Sequence, residues 1–388
     1  MEAKELFTAL IRSRICGAAL PEEVREACTY TLFREAFLIG QKQDLGHLIY
    51  DAAESAGVLP GGRDGTEKAF LERAGKLKLR AMARCVLLQN EAPRIGGALT
   101  AAGIDHVFLK GTVLRALYPE PWLRTSSDID ALVRREDLDA AIGALVKIGY
   151  ECKSGIQYHD VCLDCGKARL ELHHNILENV GALNTVLSEV WQHVSGDTPD
   201  KRMTPAYFAF HQVAHAAYHF VNGGCGFRPF IDLWLLEKEG YDDAETSALC
   251  TRAGIGRFYE RMKRVCAFCF DGAEADGETK SVLDYVLGVG EYADEDCAGA
   301  LTAGQTARSK RIFRYIFIPR KDLIVIYPKA KNVLLVPYYQ VRRWIDRIFV
   351  QKKGAKAIRR VRSSKNYDQA LIDKMNALRG AAGLEDLR

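Results

Sequence analysis

Two aspartates one residue apart, Asp128 and Asp130, stand in the segment Arg124 to Val133. Apolar Ile129, Ala131 and Val133 alternate with them, which predicts a β-strand with both carboxylates on one face and a core on the other. Same-face positions lie about 6.5–7 Å apart along a strand. Carboxylates at that spacing share hard, oxygen-seeking cations such as Mg2+. An Asp-x-Asp in a surface loop would simply be solvated, so the neighbouring elements decide what this one means.

Upstream, the apolar run Ile104 to Leu109 ends in Lys110-Gly111-Thr112, and Val113, Leu114, Leu117 and Tyr118 follow at helical spacing. This predicts a strand, a glycine turn and a helix start. Such a turn offers an anion its backbone N–H groups, the Thr112 hydroxyl and the positive end of the helix, and Gly111 has no Cβ to block close approach. Downstream, Leu138, Ala141, Ile142, Leu145 and Ile148 predict an amphipathic helix over 135–149. A hairpin is expected next, its strands Asp160 to Cys165 and Ala168 to His173 joined at Gly166-Lys167. Its second strand shows Arg169, Glu171 and His173 on one face, so Glu171 is the natural third carboxylate.

A strand with a glycine turn, a strand with Asp-x-Asp and a strand with one more carboxylate resemble, in that order, the nucleotidyltransferase superfamily that includes DNA polymerase β. Leu109-Lys110-Gly111, Tyr118-Pro119, Arg124, Asp128-Ile129-Asp130, Leu132-Val133, Gly149-Tyr150 and Glu171-Leu172-His173 look more closely like a family of uncharacterised bacterial nucleotidyltransferases. The resemblance covers residues 104–176, and more loosely the stretches near His215 and Phe230-Ile231-Asp232-Leu233. Gly111-Thr112 replaces the superfamily's usual Gly-Ser. The resemblance implies transfer of a nucleoside monophosphate from an NTP to an acceptor, with Mg2+ or Mn2+. Such chemistry needs two cations bridged by carboxylates, one at the acceptor oxygen and one at the departing pyrophosphate. Asp128, Asp130 and Glu171 are the expected catalytic and metal-holding residues. Lys110, Gly111, Thr112, Arg124 and Ser127 are the expected nucleotide contacts, because phosphoryl chemistry depends on positioning and countercharge.

The elements that must position these groups follow from the rest of the chain. The expected fold class is α+β, a small mixed sheet flanked by helices. Four units are expected: an N-terminal helical segment (1–98), the catalytic core (99–180), a helical bundle (181–300) and a basic extension with an amphipathic helix (301–388). Pro93 is expected to interrupt or kink the last N-terminal helix. No stretch reaches the roughly 18 uninterrupted apolar residues of a spanning helix, and no signal peptide is expected, since Met1 to Glu5 lacks a basic stretch followed by an apolar core. The expected location is cytoplasmic. Eleven cysteines then read as reduced thiols, with Cys162/Cys165 and Cys266/Cys269 as a less favoured zinc set.

The helix expected over 205–221 aligns His211, His215 and His219 on one stripe. Metal ligation is one reading; a hydrogen-bonded polar face toward the cleft or the bundle is the favoured one. Asp232, in the next helix, either bonds across helices or lines the cleft. Residues 301–388 carry 21 Lys+Arg against 6 Asp+Glu, net +15, while the other 300 residues net −11. In this tail Val341, Trp344, Ile345, Ile348 and Phe349 form an apolar stripe opposite Arg342, Arg343, Asp346 and Arg347. The basic run Lys352 to Arg362 follows it. The tail would bind RNA, a membrane surface or a phosphorylated acceptor, or else dock on the bundle and show a solvated face. The acceptor is open among a small molecule, a sugar or lipid-linked intermediate, an RNA end and a protein hydroxyl. Two rival functions stand beside the enzyme: a non-catalytic nucleotide-binding scaffold, and a nucleic-acid-binding protein acting through the tail.

Overall fold

The computed structural model of the chain describes residues 1–153, 160–178, 180–222, 224–289, 317–320, 323–324, 327–346 and 369–387. The fold is α+β, as expected. Four helices, α1 (Ala3–Cys16), α2 (Glu22–Ala27), α3 (Tyr30–Lys42) and α4 (Gly46–Ser55), precede the long α5 (Gly65–Ala101). Asp64 caps α5, its carboxylate accepting from the backbone N–H groups of Thr66 and Glu67 at 2.8 and 2.9 Å. Pro93 does not interrupt it. Proline lies on the exposed side, and the buried stripe Leu88, Ala92, Ile95 and Leu99 carries the helix past the missing hydrogen bond.

The sheet is mixed. Strands β1 (His106–Phe108), β2 (Ile129–Val133), β3 (Glu151–Cys152), β4 (Asp160–Asp164), β5 (Arg169–His173), β6 (Val194–Ser195) and β7 (Asp200–Met203) lie in the order β3-β4-β5-β2-β1-β7-β6. The β4–β5 hairpin turns at Gly166, whose φ of +79° suits glycine. Strand β2 runs antiparallel to β1 and parallel to β5, with Asp130 opposite Glu171 and Leu132 opposite His173.

Period-two alternation then divides the residues between two cores. Ile129, Ala131, Val133, Leu170 and Leu172 face the second half of α5 and the helix α6 (Leu138–Lys147). Asp130 and Leu132 point the other way, and Leu132 joins the larger core built with the helices α7 (Pro205–Val221) and α8 (Arg228–Glu239). A slip of one residue in β2 would exchange the two faces, so burial on both sides fixes the register that brings Asp130 beside Glu171.

Candidate active site

Asp130 is 7% exposed, and its backbone carbonyl accepts from Leu109 N–H at 2.9 Å, tying β2 to the turn that carries Lys110. Its Oδ1 receives the Lys110 ammonium at 3.5 Å and His173 Nε2 at 3.0 Å. Burial alone would raise the Asp130 pKa, but Lys110 and His173 outweigh it and hold the carboxyl well below the usual range. An ionised carboxylate only accepts, so His173 Nε2 carries the proton and orients Asp130. Two-residue alternation from Glu171 put His173 on this face; its role was not assigned from sequence.

Asp128 lies in the bend before β2 rather than within the strand. Its carboxylate is held locally, by the Ser127 hydroxyl at 3.1 Å. Burial and the neighbouring Asp130 raise its pKa. Glu171 is raised by burial and then by Asp128 and Asp130, and it pairs with Arg169 at 2.9 Å. Lys110 is pulled down by burial, yet Asp130, Glu171, Glu178 and Asp128 together lift its pKa above the ordinary value. Two carboxylates thus resist ionisation, first because they are buried and then because their charges crowd one another.

Oxygen donors in mutual repulsion suit a hard cation. Among the described residues, Asp130, Glu171 and His173 form a set whose nearest ligand atoms all lie within 4.8 Å of one another. With its Nε2 proton given to Asp130, His173 stands behind the ligands rather than among them, and the carboxylates are the donors that fit Mg2+ or Mn2+. The two Cys-x-x-Cys pairs do not converge: Cys165 packs against the core beneath the sheet, Cys266 and Cys269 within the helical core.

The glycine turn differs in one respect from expectation. Lys110 to Leu114 forms a single five-residue helical turn, too short to contribute much of a helix dipole. Gly111 is nonetheless required, since a Cβ there would stand 2.7 Å from Arg124 Nη1. Arg115, four residues on, donates to the Gly111 carbonyl at 2.8 Å and to Ser126 Oγ at 3.0 Å, bracing the turn against the loop before β2. Thr112 Oγ1 is buried with no hydrogen-bond partner among the described residues, and Thr112 does not line the cleft.

Arg124 does reach the cleft, but its charge is engaged. Its Nε and Nη2 each meet an oxygen of buried Asp232 at 2.8 Å, and Tyr118 OH donates to Asp232 at 2.7 Å. Asp232 therefore bonds across helices and lines the cleft at once.

These groups bound a cleft of about 320 Å3 whose wall includes Lys110, Gly111, Arg124, Ser127, Asp128, Asp130 and Glu171. That volume is within the range of small-molecule sites, about 300–1,000 Å3. From α7, His215 and His219 close the opposite wall. His215 Nδ1 shares a hydrogen bond with Glu178 Oε1 at 3.2 Å and its Nε2 lies 3.0 Å from His219 Nε2, so this part of the stripe is a hydrogen-bonded polar face. Burial pushes Glu178 up to about 7, with Lys110 opposing. Burial, reinforced by Lys110, holds His215 well below its ordinary value. Glu178 gave no sequence signal, because it sits in irregular chain after β5. A larger cavity of about 640 Å3 borders α1. There Asp284 pairs with Lys4 at 2.5 Å, and among the described residues the carboxylates of this cavity form no candidate metal set.

The model of an uncharacterised nucleotidyltransferase family matches residues 41–271. The chain belongs to this family. The match includes the whole sheet and the helices α6, α7 and α8, together with α4 and α5, which the sequence resemblance had not included. No curated protein and no solved structure matches. Membership in the nucleotidyltransferase family supports nucleotidyl transfer as the reaction class and implies an NTP as substrate. Among the described residues no helix is long and apolar enough to cross a membrane.

Proposed function

We propose that the protein transfers a nucleoside monophosphate from an NTP to an acceptor hydroxyl or phosphate, with Mg2+ or Mn2+. The observation that carries this is the alignment of Asp130 with Glu171 across parallel strands, with Asp128 and Lys110 in the same cleft. Asp128, Asp130 and Glu171 would hold the cations, which when bound supply countercharge and lower the acceptor oxygen's pKa. Lys110 and the Gly111 backbone receive the triphosphate. Ser127 holds Asp128 in place, and His173 fixes the Asp130 carboxylate. Arg124 serves the nucleotide mainly through Asp232, by shaping the wall beside Gly111. In this reading the core at 99–180 supplies the chemistry, and the helices of 1–98 and 181–300 wall the cleft.

Incubation with labelled NTPs, Mg2+ or Mn2+ and a cell extract tests the reading, with pyrophosphate release and nucleotide-modified molecules followed by mass spectrometry. Release that disappears in Asp130→Ala is the expected result. Nucleotide retention without pyrophosphate release, under either ion and with extract present, would make the protein a scaffold.

A further inference from the structure

The helix Val336–Ile345 is turned inside out. Leu334, just before it, is 85% exposed, and Tyr338, Val341 and Ile345 are 55%, 61% and 50% exposed. Steps of four, three and four residues put these side chains on a single stripe. The opposite side buries polar groups instead, with Gln340 and Arg343 each 7% exposed. Of the two sequence readings, docking on the bundle would cover Val341 and Ile345 and leave Arg343 on the far side; here Val341 and Ile345 are exposed and Arg343 is buried. Ile348, Phe349 and the run Lys352 to Arg362 lie outside the described residues.

Polar anchors maintain this orientation. Gln340 Nε2 donates to the Ile318 carbonyl at 2.6 Å, Tyr327 OH donates to Asp346 at 2.5 Å, and the Tyr327 and Tyr339 rings stack at 5.0 Å. Four large side chains left half or more exposed gain less from the fold than they would on the buried side.

The charge around the stripe selects its occupant. Lys329, Lys331 and Arg342 are exposed beside it, within a C-terminal segment of net charge +15. A second copy docked through the same face would bring those cations against their own counterparts. Nucleic acid would use the cations but leave the aliphatic side chains in water. An anionic bilayer surface satisfies both sets, apolar groups in the acyl boundary and cations at the headgroups.

We propose that Leu334, Tyr338, Val341 and Ile345 form a membrane-surface docking stripe, which lies flat on anionic lipid with Lys329, Lys331 and Arg342 at the headgroups. The ten-residue helix is about 15 Å long at 1.5 Å per residue, which fits a helix in the interface plane and not one that spans.

The full-length protein is sedimented with vesicles of phosphatidylcholine alone, and with vesicles of equal parts phosphatidylcholine and phosphatidylserine. Binding is expected on the anionic vesicles, weakening as salt rises. The double variant Leu334→Gln with Val341→Gln should lower it about tenfold or more, since two apolar side chains leave the acyl boundary. Both positions are exposed, so the melting temperature should be unchanged, and Tyr338→Ser serves as an independent second variant. Asp130→Ala should bind vesicles like the wild type, which separates this inference from the catalytic one. No sedimentation with anionic vesicles, or binding indifferent to both stripe variants, overturns the proposal. A wild-type dimer that the stripe variants convert to monomer also overturns it, in favour of a second copy.

Discussion

Arg124 and Asp232 meet through two parallel contacts of 2.8 Å, although 108 residues separate them in the chain. Each is buried, and the pair joins the loop before β2 to the helix α8. Asp232→Ala would leave a buried guanidinium unpaired, at a cost of about 3–5 kcal/mol. Arg124→Lys keeps the charge but loses the two-pronged geometry and should also destabilise. Urea unfolding measures both. Wild-type stability in either variant, with NTP affinity lost, would return Arg124 to a direct triphosphate role.

Gly111→Ala tests the same wall from the other side. The new Cβ falls 2.7 Å from Arg124 Nη1, on a guanidinium that Asp232 prevents from moving. Overpacking of this kind costs about 1–3 kcal/mol. In an Asp232→Ala background the freed guanidinium can yield, so the extra cost of Gly111→Ala should shrink, and a double-mutant cycle in urea reads that coupling. Additive effects would mean that the contact does not constrain Gly111.

The two aspartates should part company in stability while agreeing in activity. Asp128 has a raised folded pKa, so its ionised form weakens the fold at neutral pH, and Asp128→Asn should melt at the same temperature or higher without divalent cations. Asp130 has a depressed folded pKa. Its contribution is present above the unfolded value of about 3.9 and is lost as pH falls, so Asp130→Asn should melt lower at neutral pH. Both variants should lose cation-dependent pyrophosphate release. Equal melting shifts for the two would contradict the electrostatics described for the cleft.

Glu178 predicts a pH dependence of its own. Its folded pKa rises from 4.5 to about 7. A carboxyl raised in this way favours folding while protonated, and that benefit fades as pH climbs between the two values. The loss is on the order of 3 kcal/mol, at about 1.36 kcal/mol per pKa unit. Glu178→Gln, which still offers His215 an acceptor oxygen, should flatten the stability profile over that window and exceed the wild type above it. Thermal melts across the pH series decide this; an unchanged slope would place the titration elsewhere.

Local periodicity carried much of the fold. Alternation across Ile129, Asp130, Ala131, Leu132 and Val133 marked β2, the Gly166 turn marked the hairpin, and the apolar spacing of 205–221 marked α7. Asp130 and Glu171 were both readable as carboxylates on a strand face, because side-chain direction in a strand depends only on sequence parity. At Pro93, where an interruption or a kink was expected, the helix is not interrupted, because a buried stripe packed on the sheet offsets proline's local cost.

What sequence alone determined was therefore element type, the facing of side chains within one element, and the order of turn, Asp-x-Asp and third carboxylate. Tertiary structure decided which faces meet. It set Asp130 against Glu171 and His173, claimed Arg124 for Asp232, brought Glu178 to His215, and left the stripe from Leu334 to Ile345 outward. The reason is physical: periodicity is a property of consecutive residues, whereas register and partnership depend on burial and charge summed over segments far apart in the chain.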